Sequence, residues 1–217
     1  MAATLAALAL SLLPATASAK PVHVVVGLDL SKSNPLVDDD AYARKVADYV
    51  EDYVIDAELK SQVTLRSFGS YNTSDRNLRQ DYVISTRQPA DAVSVITREI
   101  IAGIPKLVAA GRLTAQNNTN ILAFLENMAE RVDCRSHEVV MILVTDGIED
   151  SEYARMVRQG ATLPEPEEAL YQGCDELHIL GLGQGQTSPE LTKRLREQWT
   201  LWAEKAGFEE FYGLNDW

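Results

Sequence analysis

Two apolar runs, each followed closely by an aspartate, constrain the fold of this chain more than any other feature. The first, Val22–Val26, contains no Asp, Glu, Lys or Arg and precedes Asp29; the second, Val139–Val144, precedes Asp146. Such runs are typical of strands buried on both faces, as in a parallel sheet covered by helices. Because ligands bind beyond the carboxyl ends of the strands in open α/β sheets, the pattern predicts two acids at one ligand-binding edge.

Further strands and amphipathic helices follow from the spacing of the apolar residues. The other predicted strands are an edge pair at Ser61–Phe68 and Gln80–Ser85, then Glu176–Gly183 and Phe208–Tyr212. The predicted helices run from Asp38 to about Ala57, across 90–110 with a kink at Pro105, from Ile121 to about Val132, and over Glu152–Gln159 and Pro189–Ala206. The chain is long enough to bury one sizeable core and too short for two, so one domain is predicted.

A cluster of oxygen-bearing side chains begins where the first apolar run ends. Asp29, Ser31 and Ser33 alternate in the pattern D-x-S-x-S, so one short loop can direct a carboxylate and two hydroxyls toward a common point. These are hard oxygen ligands suited to Mg²⁺, Mn²⁺ or Ca²⁺. The alternative is a polar turn ahead of a helix. The pattern resembles the metal-ion-dependent adhesion site of von Willebrand factor type A domains.

Two later segments strengthen this resemblance. Thr119 lies in a polar loop ahead of a helix, like the threonine of the family's second motif, and Asp146 lies in Thr145-Asp146-Gly147 after the second apolar strand. The resemblance covers nearly the whole chain beyond residue 19. It implies a Rossmann-like α/β fold, with an open, mostly parallel six-stranded sheet, one antiparallel edge strand and helices on both faces. The metal ligands it implies are Asp29, Ser31, Ser33, Thr119 and Asp146.

Two of these features also have simpler explanations. One is that Thr119 or Asn120 only caps the helix that begins at Ile121. The other concerns Asp38–Asp40, which could be a second metal site, because in some relatives of the family two acids follow the loop closely and form one. Acids at the start of a helix are also favoured by the helix dipole, and these three fall late after Asp29 for a clean match.

The resemblance implies a binding module that holds Mg²⁺, or else Mn²⁺ or Ca²⁺, for an Asp or Glu side chain of a partner protein. With 32 acidic and 20 basic residues, the net charge of −12 would oppose binding to nucleic acid and to anionic membranes. No paired general base or Ser/Cys-His arrangement accompanies the motifs, so no enzyme is predicted. The alternative is a metal-dependent phosphoryl-transfer hydrolase with Asp29 as nucleophile, although Ser31 replaces the second acid that such hydrolases use.

The N-terminal segment, residues 1–19, is predicted to be a cleaved secretory signal. It contains no charged side chain, carries an apolar run and ends in Ala17-Ser18-Ala19, a small-residue pattern that a signal peptidase accepts. An uncleaved anchor is the alternative. We therefore predict an exported protein, periplasmic or extracellular, whose type A domain occupies residues 20–217 and does not insert into a membrane after cleavage.

The chain contains two cysteines, Cys134 and Cys174. An even pair in an exported protein suggests a disulfide bond. The resemblance implies the same pairing, because each residue lies a few positions ahead of a strand and the two strands are neighbours in the family's sheet. The alternative is two buried thiols.

Three histidines, His23, His137 and His178, lie near the starts of predicted strands. A zinc site is one interpretation of this placement. The other is that each histidine is separately hydrogen-bonded or half exposed, at the end of the sheet opposite the metal loop.

Overall fold

The computed structural model describes residues 20–70, 77–156, 158, 160–186 and 188–217, and the predicted signal segment, residues 1–19, lies outside this part. The strands are β1 Val22–Asp29, β2 Gln62–Phe68, β3 Arg79–Val83, β4 Glu138–Val144, β5 Cys174–Leu180 and β6 Phe208–Leu214. The α-helices are α1 Asp40–Val54, α2 Ala90–Ala102, α3 Ile104–Ala109, α4 Ile121–Ala129 and α5 Pro189–Ala206. A short 3-10 helix, Pro35–Val37, precedes α1.

The six strands form one open sheet in the order β3-β2-β1-β4-β5-β6. All neighbouring pairs are parallel except β2 and β3, so β3 is an antiparallel edge strand as predicted. The central strand β1 lies between β2 and β4, with Asp29 opposite Phe68 and Leu28 opposite Val144. The carboxyl ends of β1 and β4 are therefore adjacent at one edge of the sheet.

Hydrophobic cores lie on both faces of the sheet, because successive strand residues point to opposite faces. Val24, Val26 and Leu28 belong to the core beneath α1, α2 and α3, whereas Val25 belongs to the core beneath α4 and α5. Gly27 allows α4 to approach β1 closely: a Cβ there would lie 2.8 Å from the Phe124 ring. The prediction of helices on both faces is confirmed.

The predicted helix over 90–110 is divided into α2 and α3 at Gly103. Pro105 lies in the first turn of α3, where a missing backbone N–H removes no intrahelical hydrogen bond. The proline therefore starts a new helix, and the interruption lies two residues before the predicted kink.

The predicted helix at Glu152–Gln159 is wrong, because the described residues of this range form turns. The N–H of Ser151 donates to the carbonyl of Ala154 at 2.9 Å, and the N–H of Tyr153 donates to Oγ of Ser151 at 3.1 Å. A serine hydroxyl that bonds a nearby N–H competes with the helical hydrogen bond, and here the turn is formed instead.

The predicted disulfide between Cys134 and Cys174 is present, with a Cα–Cα distance of 4.7 Å. It joins the α4–β4 connection to the first residue of β5, which is buried. None of the helices in the described part of the chain is long and apolar enough to cross a membrane.

Candidate metal site

Asp29, the last residue of β1, is fully buried at the carboxyl edge of the sheet. Its Oδ1 accepts a hydrogen bond from the N–H of Ser31 at 2.7 Å. Its Oδ2 accepts one from the hydroxyl of Thr145, which follows β4, at 2.8 Å. These two bonds fix the orientation of the carboxylate and connect the ends of the two central strands.

The loop after β1 places two hydroxyls beside this carboxylate. Ser31 is buried, Ser33 is exposed, and their Oγ atoms are 3.2 Å apart. Asn34 holds the far end of the loop, because its Oδ1 accepts from the N–H of Leu36 at 3.0 Å and its Nδ2 donates to the carbonyl of Val144 at 2.9 Å. The D-x-S-x-S loop is thereby bonded to the end of β4.

Asp146 lies in the turn that follows β4 and is partly buried. Its Oδ1 accepts from the N–H of Ile148 at 2.9 Å, and its carbonyl accepts from the N–H of Gly183 at 2.8 Å. Gly147 has a φ of +77°, and a Cβ there would overlap Leu182. A glycine is required at this position, both for the left-handed backbone and for the close packing.

The loop that carries Thr119 is joined to both of these turns. The N–H of Gln116 donates to the carbonyl of Leu30 at 2.8 Å, and the carbonyl of Gln116 accepts from the N–H of Lys32 at 2.8 Å. Thr119 is buried and exchanges backbone hydrogen bonds with Asp150, at 2.9 and 3.3 Å. The five predicted ligand residues therefore lie at the end of β1 and on three loops, and these segments are bonded to one another.

Both helix starts near the site have identifiable caps. Oδ1 of Asn120 accepts from the N–H of Ala123 at 3.1 Å, so Asn120 caps α4 and Thr119 precedes the cap. At α1, the carboxylate of Asp39 accepts from the N–H of Ala41 at 2.7 Å and of Tyr42 at 3.0 Å. The helix-start explanation for Asp38–Asp40 is therefore the one that the contacts favour.

Glu149 is a residue of this region that the sequence analysis did not identify. It is fully buried, and its Oε2 accepts from the N–H groups of Ile121 at 2.7 Å and Leu122 at 3.1 Å. The hydroxyl of Ser151 donates to the other oxygen. Glu149 thus holds the N-terminus of α4 against the loop after β4, in the position where the helix dipole favours an acid. The only sequence feature that could have pointed to Glu149 is its position as an acid three residues after Asp146.

Burial raises the pKa of the carboxyl groups of Asp29, Asp146 and Glu149. The pKa of Asp29 is raised to about 7, mainly by burial; the bonds from Ser31 and Thr145 oppose the shift, and the charge of Asp146 adds to it. Burial raises the pKa of Asp146 to about 6 and that of Glu149 to about 7. Among the described residues, no lysine, arginine or histidine forms an ion pair with Asp29 or Asp146.

The donor set consists of hydroxyls and carboxylates. No group of three or more His, Cys, Asp or Glu residues is placed to hold a metal within the described part of the chain. The set predicted from the sequence differs from such a group, since it has two carboxylates and three hydroxyls. Its oxygen chemistry fits a hard divalent cation.

The histidines are separately hydrogen-bonded. Nε2 of His23 lies 3.1 Å from Oγ1 of Thr64, and Nε2 of His137 lies 3.1 Å from Nε2 of Gln62. His178 lies between the hydroxyl of Tyr49 and the carboxylate of Glu176. These contacts favour the hydrogen-bonded interpretation over the zinc site.

Comparison with known proteins supports the fold. No protein-family model matches the chain, and no curated protein matches it. The pilus adhesin SpaC of Lactobacillus rhamnosus GG, in its open conformation, matches 92% of this chain with a TM-score of 0.52 and 15% sequence identity. The match covers 28% of the adhesin.

Two further structures match the same share of the chain. The ArnB paralog VWA2 of Sulfolobus acidocaldarius has a TM-score of 0.47 and 14% identity, over 92% of this chain and 43% of that one. The human COPII-coat protein Sec24c has a TM-score of 0.45 and 9% identity, over 92% and 30% respectively. This chain therefore spans less than half of each protein that it resembles. At 15% identity, the likeness to the adhesin supports the fold alone.

Proposed function

We propose that this chain is a protein-interaction module that holds a divalent cation at the carboxyl edge of its sheet and through it binds an Asp or Glu side chain of a partner protein. The observation that carries the proposal is the pair of acids at this edge, the fully buried Asp29 and the partly buried Asp146. Both have a raised pKa, and neither has a cationic partner among the described residues. Buried charges of like sign are costly unless a counter-charge or a metal compensates them.

The five ligands that we propose are oxygen donors. They are Asp29, Ser31, Ser33, Thr119 and Asp146. Hard oxygen donors of this kind suit Mg²⁺, and Mn²⁺ or Ca²⁺ would also be accepted. When bound, the cation would provide a Lewis-acidic position at which a partner carboxylate can coordinate. Two protein carboxylates balance the double positive charge without exceeding it, so the cation can still accept a further oxygen ligand.

The surrounding contacts would support this role by holding the donors in place. The Thr145 hydroxyl orients Asp29, Asn34 fastens the serine loop to β4, and Glu149 fastens the α4 N-terminus beside Thr119. Residues held by such contacts lose little further conformational freedom when a ligand binds.

Several features support a protein partner and an exported location. The net charge of −12 disfavours nucleic acid. The Cys134–Cys174 disulfide is typical of an oxidising compartment and agrees with the predicted signal segment, which supports the proposal that the protein is periplasmic or extracellular. We propose no catalytic role, because both carboxylate oxygens of Asp29 already accept hydrogen bonds, which weakens them as nucleophiles.

The first test measures the cation alone. Calorimetric titration of Mg²⁺, and the rise in melting temperature with Mg²⁺ over EDTA, should give saturable binding by the wild type and none by Asp29→Ala. Asp38→Ala removes the same charge from an exposed position next to the loop and should bind Mg²⁺ like the wild type. Equal Mg²⁺ binding by a folded Asp29→Ala protein would refute the site.

The second test concerns the partner. Proteins captured from the native extract with Mg²⁺ should be lost in EDTA and with Asp29→Ala, and should be retained with Asp38→Ala. Capture that is undiminished in excess EDTA would place the interaction on another surface. Release of phosphate from small phosphoesters in Mg²⁺ would instead support the hydrolase alternative.

A further inference from the structure

A groove with basic walls lies beside the candidate metal site. It has a volume of about 480 Å³ and runs between the β2–β3 edge of the sheet and α4. Its lining includes Arg66, Phe68, Arg79, Asn120, Asn127 and Arg131. Arg66 and Arg79 come from the two strands, and Arg131 follows α4, so positive charge stands on both walls.

The charge of the groove is opposite to that of the whole chain. None of its described lining residues is Asp or Glu, although the chain has a net charge of −12. Arg66 is paired with the carboxylate of Asp81 through bonds of 2.6 and 2.8 Å. Arg79 and Arg131 are exposed and form no ion pair within the described residues. Two unneutralised guanidinium groups therefore face one groove.

The lining also contains a buried donor without a partner. Asn120 is 4% exposed, and its Nδ2 has no hydrogen-bond partner in the described part of the chain. Buried polar groups are seldom left unpaired, so an unpaired amide N–H next to a groove is a candidate ligand contact. The rings of Phe68 and Phe124, 4.8 Å apart between their centroids, supply an apolar surface in the same groove.

The groove begins at the loops of the candidate site. Asn120 is the residue after Thr119, and Phe68 is paired with Asp29 in the sheet. The N–H of Ser70 donates to the side chain of Gln116, whose backbone is bonded to the D-x-S-x-S loop. A chain that reaches the metal position with one side chain can therefore continue into the groove.

We infer that the groove binds an acidic segment of the partner protein, adjacent to the carboxylate that the metal site takes. The inference rests on the proposed function for its partner, but it uses residues outside the proposed metal ligands. The acidic domain as a whole repels an acidic partner, but the arginines of the groove attract an acidic segment at the point of contact. A peptide fits better than a single small anion, because the groove has a volume of about 480 Å³, arginines on both walls and an apolar surface.

The test is an NMR titration of the ¹⁵N-labelled protein with a hexaglutamate peptide at low ionic strength, in EDTA and again in Mg²⁺. In EDTA, shifts should concentrate at Arg79, Asn120, Asn127 and Arg131. The double variant Arg79→Ser/Arg131→Ser should bind about three- to tenfold more weakly than the wild type, as expected for two exposed charge pairs.

The matched control is Arg87→Ser/Arg112→Ser, which removes the same charge from exposed positions away from the groove. Equal affinity of the two double variants would overturn the inference, since only net charge would then matter. Equal binding of a hexaserine peptide would overturn it, and so would tighter binding of pyrophosphate than of hexaglutamate.

The same experiment separates this inference from the proposed metal site. If the metal proposal fails, Mg²⁺ and Asp29→Ala will leave peptide affinity unchanged, while the difference between the two arginine variants in EDTA persists. If the groove inference fails, the two arginine variants will agree in EDTA whatever Mg²⁺ does. Each failure thus has its own signature.

Discussion

Replacing Asp29 by asparagine should stabilise the metal-free protein at pH 8. Burial raises the pKa of this carboxyl from 3.8 to about 7, so ionising it in the folded state costs about 4 kcal/mol relative to the unfolded chain. Asparagine retains an acceptor for the N–H of Ser31 and offers an N–H to the hydroxyl of Thr145. Allowing about 2 kcal/mol for weaker hydrogen bonds, we expect a net gain of about 2 kcal/mol in the free energy of unfolding.

The gain should depend on pH in a defined direction. Between pH 3.8 and about 7, the folded wild type binds more protons at Asp29 than the unfolded chain does. The contribution of this group to stability is therefore full below the unfolded pKa and is lost as the pH rises through the folded pKa. Asparagine does not titrate, so the difference in stability between the Asp29→Asn variant and the wild type should shrink as the pH is lowered toward 4.

The assay is urea unfolding followed by circular dichroism, at pH 5 and pH 8, in EDTA and then in Mg²⁺. In EDTA, the free energy of unfolding of Asp29→Asn should exceed that of the wild type at pH 8 and approach it at pH 5. In Mg²⁺, only the wild type should gain stability. Asp38→Asn removes an exposed charge and should show neither effect. An Asp29→Asn protein that is less stable than the wild type at pH 8 in EDTA would refute the argument from buried charge.

Three further predictions test other parts of the structure. Glu149→Ala should lower the free energy of unfolding by about 2–4 kcal/mol and speed amide exchange at Ile121 and Leu122, whose N–H groups lose their acceptor; unchanged exchange would contradict the role given to Glu149. Burial lowers the pKa of His23 from 6.5 to about 4, so the stability that neutral His23 contributes above pH 6.5 should fall by about 3 kcal/mol as the pH is lowered to 4. In urea unfolding, the stability of His23→Gln should lack this dependence on pH, and pH profiles of the variant and the wild type that run parallel would contradict the role given to His23. Free thiols of the unfolded, unreduced protein should titrate near zero, and Cys134→Ser/Cys174→Ser should lower the free energy of unfolding by about 4 kcal/mol, because the bond closes a 40-residue separation; two free thiols would show that the bond does not form.

The positions and the burial of the main strands could be predicted from the sequence alone. Strands buried on both faces must be apolar along their whole length, so Val22–Val26 and Val139–Val144 identify themselves without any tertiary information. The positions of Asp29 and Asp146 follow, because the parallel strands end at a common edge. Asp39 could also be identified, since a cap bonds the N–H groups of its own helix.

The tertiary structure alone decided which residues hold the three loops together. Glu149 reaches the N–H groups of Ile121 and Leu122, and Asn34 reaches the carbonyl of Val144, across separations of 27 to 110 residues. No local pattern distinguishes such a side chain from an ordinary polar one. Its partner is defined only when the strands are paired.

The same limit applies to the turns and to the groove. Helical spacing at 152–159 did not produce a helix in the described residues of this range, because hydrogen bonds of Ser151 closed a turn there instead. Arg79 and Arg131 are 52 positions apart in sequence and share a groove only because the sheet and α4 bring them together. Local patterns predict which segments are buried, because the spacing of apolar residues follows the buried face of each element. The convergence of distant polar groups depends instead on how the elements pack together, which no local pattern specifies.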